Sequence, residues 1–293
     1  MKKQHTGLQG NKYQALLGAG LTFFALAVVP GSVLAQNVTL TDGGSSAGFN
    51  LGGIGTGALG MNSWTVNADP GVSQLNQQWF WYSINGGGVQ SIDQISAAVI
   101  SGQTANGFTA TFQNSSLAVQ VSYSLQGDGG GSGGVLSETV NILDLSAGNL
   151  NVNFYQYGNF NLLQNNQNTV NIGGGPGAYS YISQTTSAGG NGIEETINQP
   201  YANFAEAGTP TGVMSDVTHG NALNGTSSYG PGNVAWALEW ASTVTPFNGD
   251  AGNVWNVLQN QNMSIQPVPE PSAFALIAAG LGACGWLRRR RTP

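Results

Sequence analysis

The sequence predicts an all-β fold: one extracytoplasmic domain over residues 36–267, built as an antiparallel β-sandwich of many short strands and flanked by a helix at each end. Three observations predict it. Apolar and polar residues alternate at period two in several runs, glycine-rich breakers separate those runs, and no stretch of the middle reads as an amphipathic helix. Glycine is abundant, at 45 of 293 residues, but follows no strict triplet period, so a collagen-like chain is excluded. Regularly placed aromatic residues and few charges, 7% of the chain, argue against disorder.

Taken in order, the first strands are expected at residues 64–66, 78–84 and 95–100. Phe108, Ala110 and Phe112 then alternate with Thr109 and Thr111. Leu117, Val119, Val121, Tyr123 and Leu125 form the next stripe, with Asn114-Ser115 between the two as the turn of a hairpin. Further strands are expected at residues 136–143, 150–157, 179–183 and 263–265. Val234, Trp236, Leu238, Trp240 and Val244 make another stripe, opposed by Ala235, Ala237, Glu239 and Ala241. Breakers lie at residues 86–88, 127–134, 173–177, 189–190 and 230–232. The glycine-rich residues 43–60 and the Asn/Gln-rich residues 159–171 read as loops or edge segments.

The two ends carry instructions of a different kind. Lys2, Lys3 and Lys12 precede an apolar run at residues 15–29, followed by Pro30 and the small-residue pattern Val33-Leu34-Ala35. That is the pattern of a secretory signal peptide over residues 1–35, cut by signal peptidase between Ala35 and Gln36. An uncleaved anchor helix is the alternative, and the run is short for one. At the other end Pro269-Glu270-Pro271 precedes an apolar segment at residues 272–287, then Arg288, Arg289, Arg290 and Arg291. Sixteen residues of helix reach about 24 Å, short of the roughly 30 Å hydrocarbon core. The arginines hold that end in the cytoplasm and Trp286 suits an interface, so the segment reads as a transmembrane stop-transfer helix.

Val268-Pro269-Glu270-Pro271, the short apolar helix and the terminal arginines, residues 268–293 together, closely resemble the PEP-CTERM sorting signal of Gram-negative bacteria. The resemblance implies processing by exosortase, an integral-membrane cysteine transpeptidase that reads Pro269, Glu270 and Pro271 and removes the helix. It also implies passing attachment to the inner membrane, then an address at the cell surface or in an exopolysaccharide or biofilm matrix. It carries no activity for the middle of the chain. Residues 77–82 and 230–236 also resemble, more loosely, the secreted domains found upstream of such tails.

Composition excludes several functions. All three lysines and four arginines lie in the end segments, so residues 36–267 contain no Lys or Arg, while twelve acids lie between Asp42 and Asp250. Such a domain cannot neutralise phosphates, which excludes nucleic-acid binding, and it has no lysine for Schiff bases or isopeptide bonds and no arginine clamp. The one cysteine, Cys284, is in the C-terminal apolar segment, which leaves a processed domain without a disulfide, a thiol nucleophile or a thiolate metal site.

Candidate chemistry is sparse. Glu194-Glu195 is the one adjacent carboxylate pair, but neighbours on a strand point to opposite faces and could not flank a glycosidic bond, so they read as a solvated edge. His219, three residues after Asp216, sits in a turn-like context with no Gly-x-Ser-x-Gly elbow anywhere, and reads as a loop histidine. Asp42, Asp128 and Asp250 lie in glycine-rich loops without an EF-hand pattern; a loop calcium is left open, and no metal or other cofactor is expected. Asn37, Asn114, Asn224 and Asn262 head glycosylation sequons. Trp79, Trp81, Tyr82, Tyr155 and Tyr157 are the candidate glycan-binding residues, since i, i+2 aromatic pairs put two rings on one strand face. Tyr179 and Tyr181 share that spacing, whereas Trp236 and Trp240 share a stripe with Leu238 and read as core. The resulting expectation is a non-enzymatic exported surface or matrix protein. The alternatives are a carbohydrate-binding module using the aromatic pairs, and a carboxylate-based glycoside hydrolase.

Overall fold

The computed structural model describes residues 36–52, 60–187 and 191–266. The signal segment with Ala35, the apolar segment 272–287, the Pro269-Glu270-Pro271 motif and Arg288 to Arg291 lie outside the described residues. The chain begins with strands β1 (Asn37–Asp42), β2 (Ser45–Asn50), β3 (Gly60–Val66), β4 (Leu75–Ile84) and β5 (Gln90–Ser91). It continues through β6 (Val99–Ser101), β7 (Gly107–Gln113), β8 (Leu117–Gly127), β9 (Gly133–Asp144), β10 (Leu150–Phe160), β11 (Asn168–Gly173), β12 (Tyr181–Thr186), β13 (Gly192–Gln199) and β14 (Phe204–Gly208). A single α-helix among the described residues, α1 (Pro210–His219), is followed by β15 (Ser228–Gly232), β16 (Ala235–Val244) and β17 (Val254–Ser264).

Two sheets form. One runs β1-β2-β3-β4-β10-β16-β14 with β5 beside β4; the other runs β15-β11-β12-β13-β17-β9-β8-β7-β6. Every ladder is antiparallel except the short β3–β4 contact at Gly60 and Met61. The expected sandwich is therefore present as two stacked sheets sharing one hydrophobic core. Phe49 of β2 joins them, lying edge-on to Phe108 at 5.0 Å and tilted against Tyr123 at 4.6 Å. Trp64, Trp79, Trp236 and Trp240 are all fully buried. The β7–β8 hairpin turns where the sequence places it, with Asn114 Oδ1 accepting from the Ser116 and Leu117 amides at 2.8 and 2.9 Å.

The structure departs from the sequence reading in four places, each for a physical reason. Residues 45–50, within the glycine-rich segment 43–60 read as a loop or edge, form β2 because ladders to β1 and β3 hold both its edges and Ser45, Ala47 and Phe49 point inward. In the Asn/Gln-rich segment, β11 is clamped between β12 and β15 with Asn168, Val170 and Ile172 inward, and Gly230-Pro231-Gly232, read as a breaker, lies in its partner β15. Of residues 95–100 only the end is strand, since Ile92–Gln94 turn as a 3₁₀ helix and bury Ile92. Helix α1 forms where none was expected: Thr209 Oγ1 caps it by accepting from the Gly212 amide at 3.2 Å, and proline opens it. Gly220, at φ 67°, closes it, and Val213 and Val217 at i, i+4 are buried against β10, β14 and β16. Only Val213 and Val217 are fully buried, with Met214 partly so, too few for a periodic signal.

Candidate functional site

The site that stands out is inside the sandwich. Strand alternation turns Glu138 of β9 inward between Leu136 and Val140, and Gln259 and Gln261 of β17 inward between Val257 and Met263. Register then sets Tyr123, Glu138 and Gln259 in one row across β8, β9 and β17. Leu136, Gln261, Glu195 and Ile182 make the next row, reaching β13 and β12. From the facing sheet come Gln78 of β4 and Gln156 of β10. None of the two glutamates and four glutamines is more than 1% exposed.

Three amides converge on one carboxylate oxygen. Glu138 Oε2 accepts from Gln259 Nε2 at 2.7 Å, Gln78 Nε2 at 3.0 Å and Gln156 Nε2 at 3.5 Å. Glu195 Oε2 accepts from Gln261 Nε2 at 3.1 Å, and the Gln156 amide also lies beside it. Burial pushes the Glu138 carboxyl up to about 7, against the pull of the Gln259 and Gln78 amides. Burial likewise lifts Glu195 well above the usual carboxylate range, with the negative charge of Glu138 adding to the effect. Tyr123 is raised by burial and then by Glu138.

Two carboxyl groups thus share one amide, which adjacency in sequence could not reveal. They are nevertheless sealed, each no more than 1% exposed, and two surface clefts of the sandwich lie elsewhere. One, of about 370 Å³, is lined by Asp42, Gly43, Gly44 and Asn67; the other, of about 490 Å³, by Gln36, Val38, Val99 and Gln103. A polysaccharide could not reach Glu138 or Glu195 without opening the sheets.

The residues singled out by sequence fall into different settings. Glu194 and Glu195 point to opposite faces as their spacing requires; Glu194 is exposed and accepts from the Tyr181 hydroxyl at 3.0 Å. The solvated-edge reading fails for Glu195, because β13 is interior between β12 and β17 and its inner face is core. His219 is in the last helical turn rather than a loop, with Nδ1 2.8 Å from the Ser215 carbonyl, and Asp216 accepts instead from Asn221 Nδ2 at 2.8 Å. Asp128 is consumed by its own turn, accepting from Gly130, Gly131 and Ser132, and Asp42 accepts from the Gly127 amide at 2.8 Å. Asp250 accepts from Gly252 at 2.9 Å. Among the described residues no three His, Cys, Asp or Glu side chains gather as a metal-ligating set. Asn37, Asn114, Asn224 and Asn262 are all exposed.

The aromatic candidates are buried. Trp79 is 1% and Trp81 7% exposed, because β4 is interior to its sheet and both its faces are covered. Trp79 lies edge-on to Phe112 at 5.9 Å and donates through Nε1 to Ser91 Oγ at 2.7 Å; Tyr82 donates to Gln90 Oε1 at 3.0 Å. Trp81 packs edge-on to Tyr157, whose hydroxyl donates to the Pro210 carbonyl at 3.3 Å. Tyr155 sits beside Glu239, and burial raises both groups. A stacking platform needs open ring faces, and these rings have none to spare. Trp236 and Trp240 are core, as their stripe implies.

Sequence reading missed Glu138 and the four glutamines. The available signal was a polar residue on the inward parity of an otherwise apolar stripe.

Among solved structures the chain resembles a protein from Synechocystis sp., with 10% identity and a TM-score of 0.50 over 83% of this chain and all of that one. It also resembles a galactose mutarotase-related enzyme from Lactobacillus acidophilus, with 9% identity and a TM-score of 0.49 over 80% of this chain and all of that one. A galactose mutarotase-like protein from Lactobacillus casei matches at 11% identity and a TM-score of 0.46, over 78% of this chain and all of that one. At such identities the likeness concerns the fold alone. No curated protein matches the sequence. Residues 267–291 match the PEP-CTERM protein-sorting motif. The chain therefore carries, behind its β-sandwich, the sorting motif of an exported protein processed by exosortase.

Proposed function

We propose that this protein is a non-enzymatic component of the cell surface or exopolysaccharide matrix, delivered by signal peptidase and exosortase after passing attachment to the inner membrane. The observation that carries the reading is the sorting motif at residues 267–291. Two features of the domain support it. Its converging carboxyls are sealed inside the core, and a sandwich domain without Lys or Arg presents an acidic, Asn/Gln/Ser/Thr-rich exterior suited to a hydrated polysaccharide. The burial of Trp79, Trp81, Tyr82, Tyr155 and Tyr157 weighs against the carbohydrate-binding module built on them.

Fractionation of the native host tests this. The wild-type protein is expected in the extracellular or envelope polysaccharide fraction, and a chain ending at Gln266 is expected to lose that association. Equal retention of both forms, or hydrolysis of the host polysaccharide by the purified protein, would overturn the reading.

A further inference from the structure

The buried carboxyl and amide cluster raises a question of charge. Two carboxylates lie in the core of a domain whose sequence supplies no lysine or arginine, so their counter-charge comes from protons or from an ion taken up from solution. The hydrogen-bond ledger separates these. Glu138 Oε1, Glu195 Oε1 and the Oε1 atoms of Gln78, Gln156, Gln259 and Gln261 are all buried without a partner. Protonating both carboxyls at Oε1 would turn two of these six oxygens into O–H donors facing the other four and leave two amide oxygens unserved, whereas a hard cation takes six to eight oxygens at once.

The placement agrees. Three of the unpartnered amide oxygens share a carbon with a nitrogen 2.7, 3.0 or 3.5 Å from Glu138 Oε2, and the fourth, on Gln261, shares one with a nitrogen 3.1 Å from Glu195 Oε2, so all four stand beside the two carboxyl groups. We propose that the sandwich interior binds one divalent cation of the calcium class between Glu138 and Glu195, with Gln78, Gln156, Gln259 and Gln261 supplying amide oxygens. A divalent charge balances the two carboxylates, and mixed carboxylate and amide oxygens in irregular number suit calcium better than magnesium, which demands octahedral geometry and keeps its waters. The ion pins β9, β13 and β17 of one sheet to β4 and β10 of the other. The titratable groups facing Glu138 are Tyr123 on β8 and Glu195 on β13, while β4, β10 and β17 present glutamines; no basic group is among them.

The test uses the full chain purified from its host. After exhaustive dialysis against metal-free buffer, elemental mass spectrometry is expected to find about one calcium per chain. In chelator the melting temperature should fall below that of the untreated protein, and added calcium should restore it. Glu138→Gln and Glu195→Gln should each lose the calcium response. No bound cation in the wild-type protein, together with melting curves identical in chelator and in calcium, would overturn the proposal and leave two protonated carboxyls. The wild-type metal content decides the matter even if one variant does not fold.

Discussion

A glutamate on the inward parity of a strand sets the energetics at the residue scale. The carboxyl of Glu138 rises from an ordinary 4.5 to about 7 on folding, because burial penalises its charged form. Between those values the unfolded chain has released a proton that the folded chain still holds, so without metal the contribution of Glu138 to stability is fully present below about 4.5 and is lost as pH rises to about 7. Glu195 shifts in the same direction and carries the loss to higher pH. Glu138 alone accounts for roughly 3 kcal/mol at the upper end. Denaturant titrations in chelator are expected to show this decline for the wild type and a smaller one for Glu138→Gln. A stability that rises across that window would contradict the assignment. The sequence hid this residue for a simple reason: one polar side chain in the stripe Leu136, Glu138, Val140, Ile142 reads as a lapse in the pattern, and only the facing strands show that the glutamines of β4, β10 and β17 meet it.

The same polar layer explains what could be read of the elements. Strands with an unbroken apolar face, such as β7, β8 and β16, were legible with their partners or their stripe, because burial and period two coincide there. Strand β17 was seen only at its end, since Gln259 and Gln261 occupy the inward positions that would have announced it. Strands β2 and β11 owe their form to neighbours on both edges rather than to propensity. Helix α1 depends on its ends, with Thr209 before Pro210 and Gly220 after His219, because only Val213 and Val217 are buried. Thr209→Ala is therefore expected to cost about 1 kcal/mol, read as a lower denaturation midpoint with an unchanged slope. A loss within error would mean that packing on β10 and β16 holds the helix without its cap.

For the whole molecule, charge is segregated along the chain: cations at the two ends, acids between. The consequence for chemistry is that side-chain ion pairs with Lys or Arg contribute nothing to residues 36–267, and apolar burial with hydrogen bonding carries the fold. Trypsin, which needs Lys or Arg, is expected to leave residues 36–267 as one fragment even after denaturation, checked by mass spectrometry of the digest. The sorting address was legible because its residues are contiguous in sequence, whereas the interior cluster draws on strands far apart in sequence and exists only once both sheets close.

The central claim is that the chain is exported and cut at its sorting motif, and intact mass spectrometry with sequencing of both termini, on protein from the host envelope and medium, tests it most directly. A chain that begins at Gln36 and ends near Pro269 to Pro271 is the expected result. A chain still carrying Arg288 to Arg291 would contradict it and make the protein an ordinary membrane-anchored one.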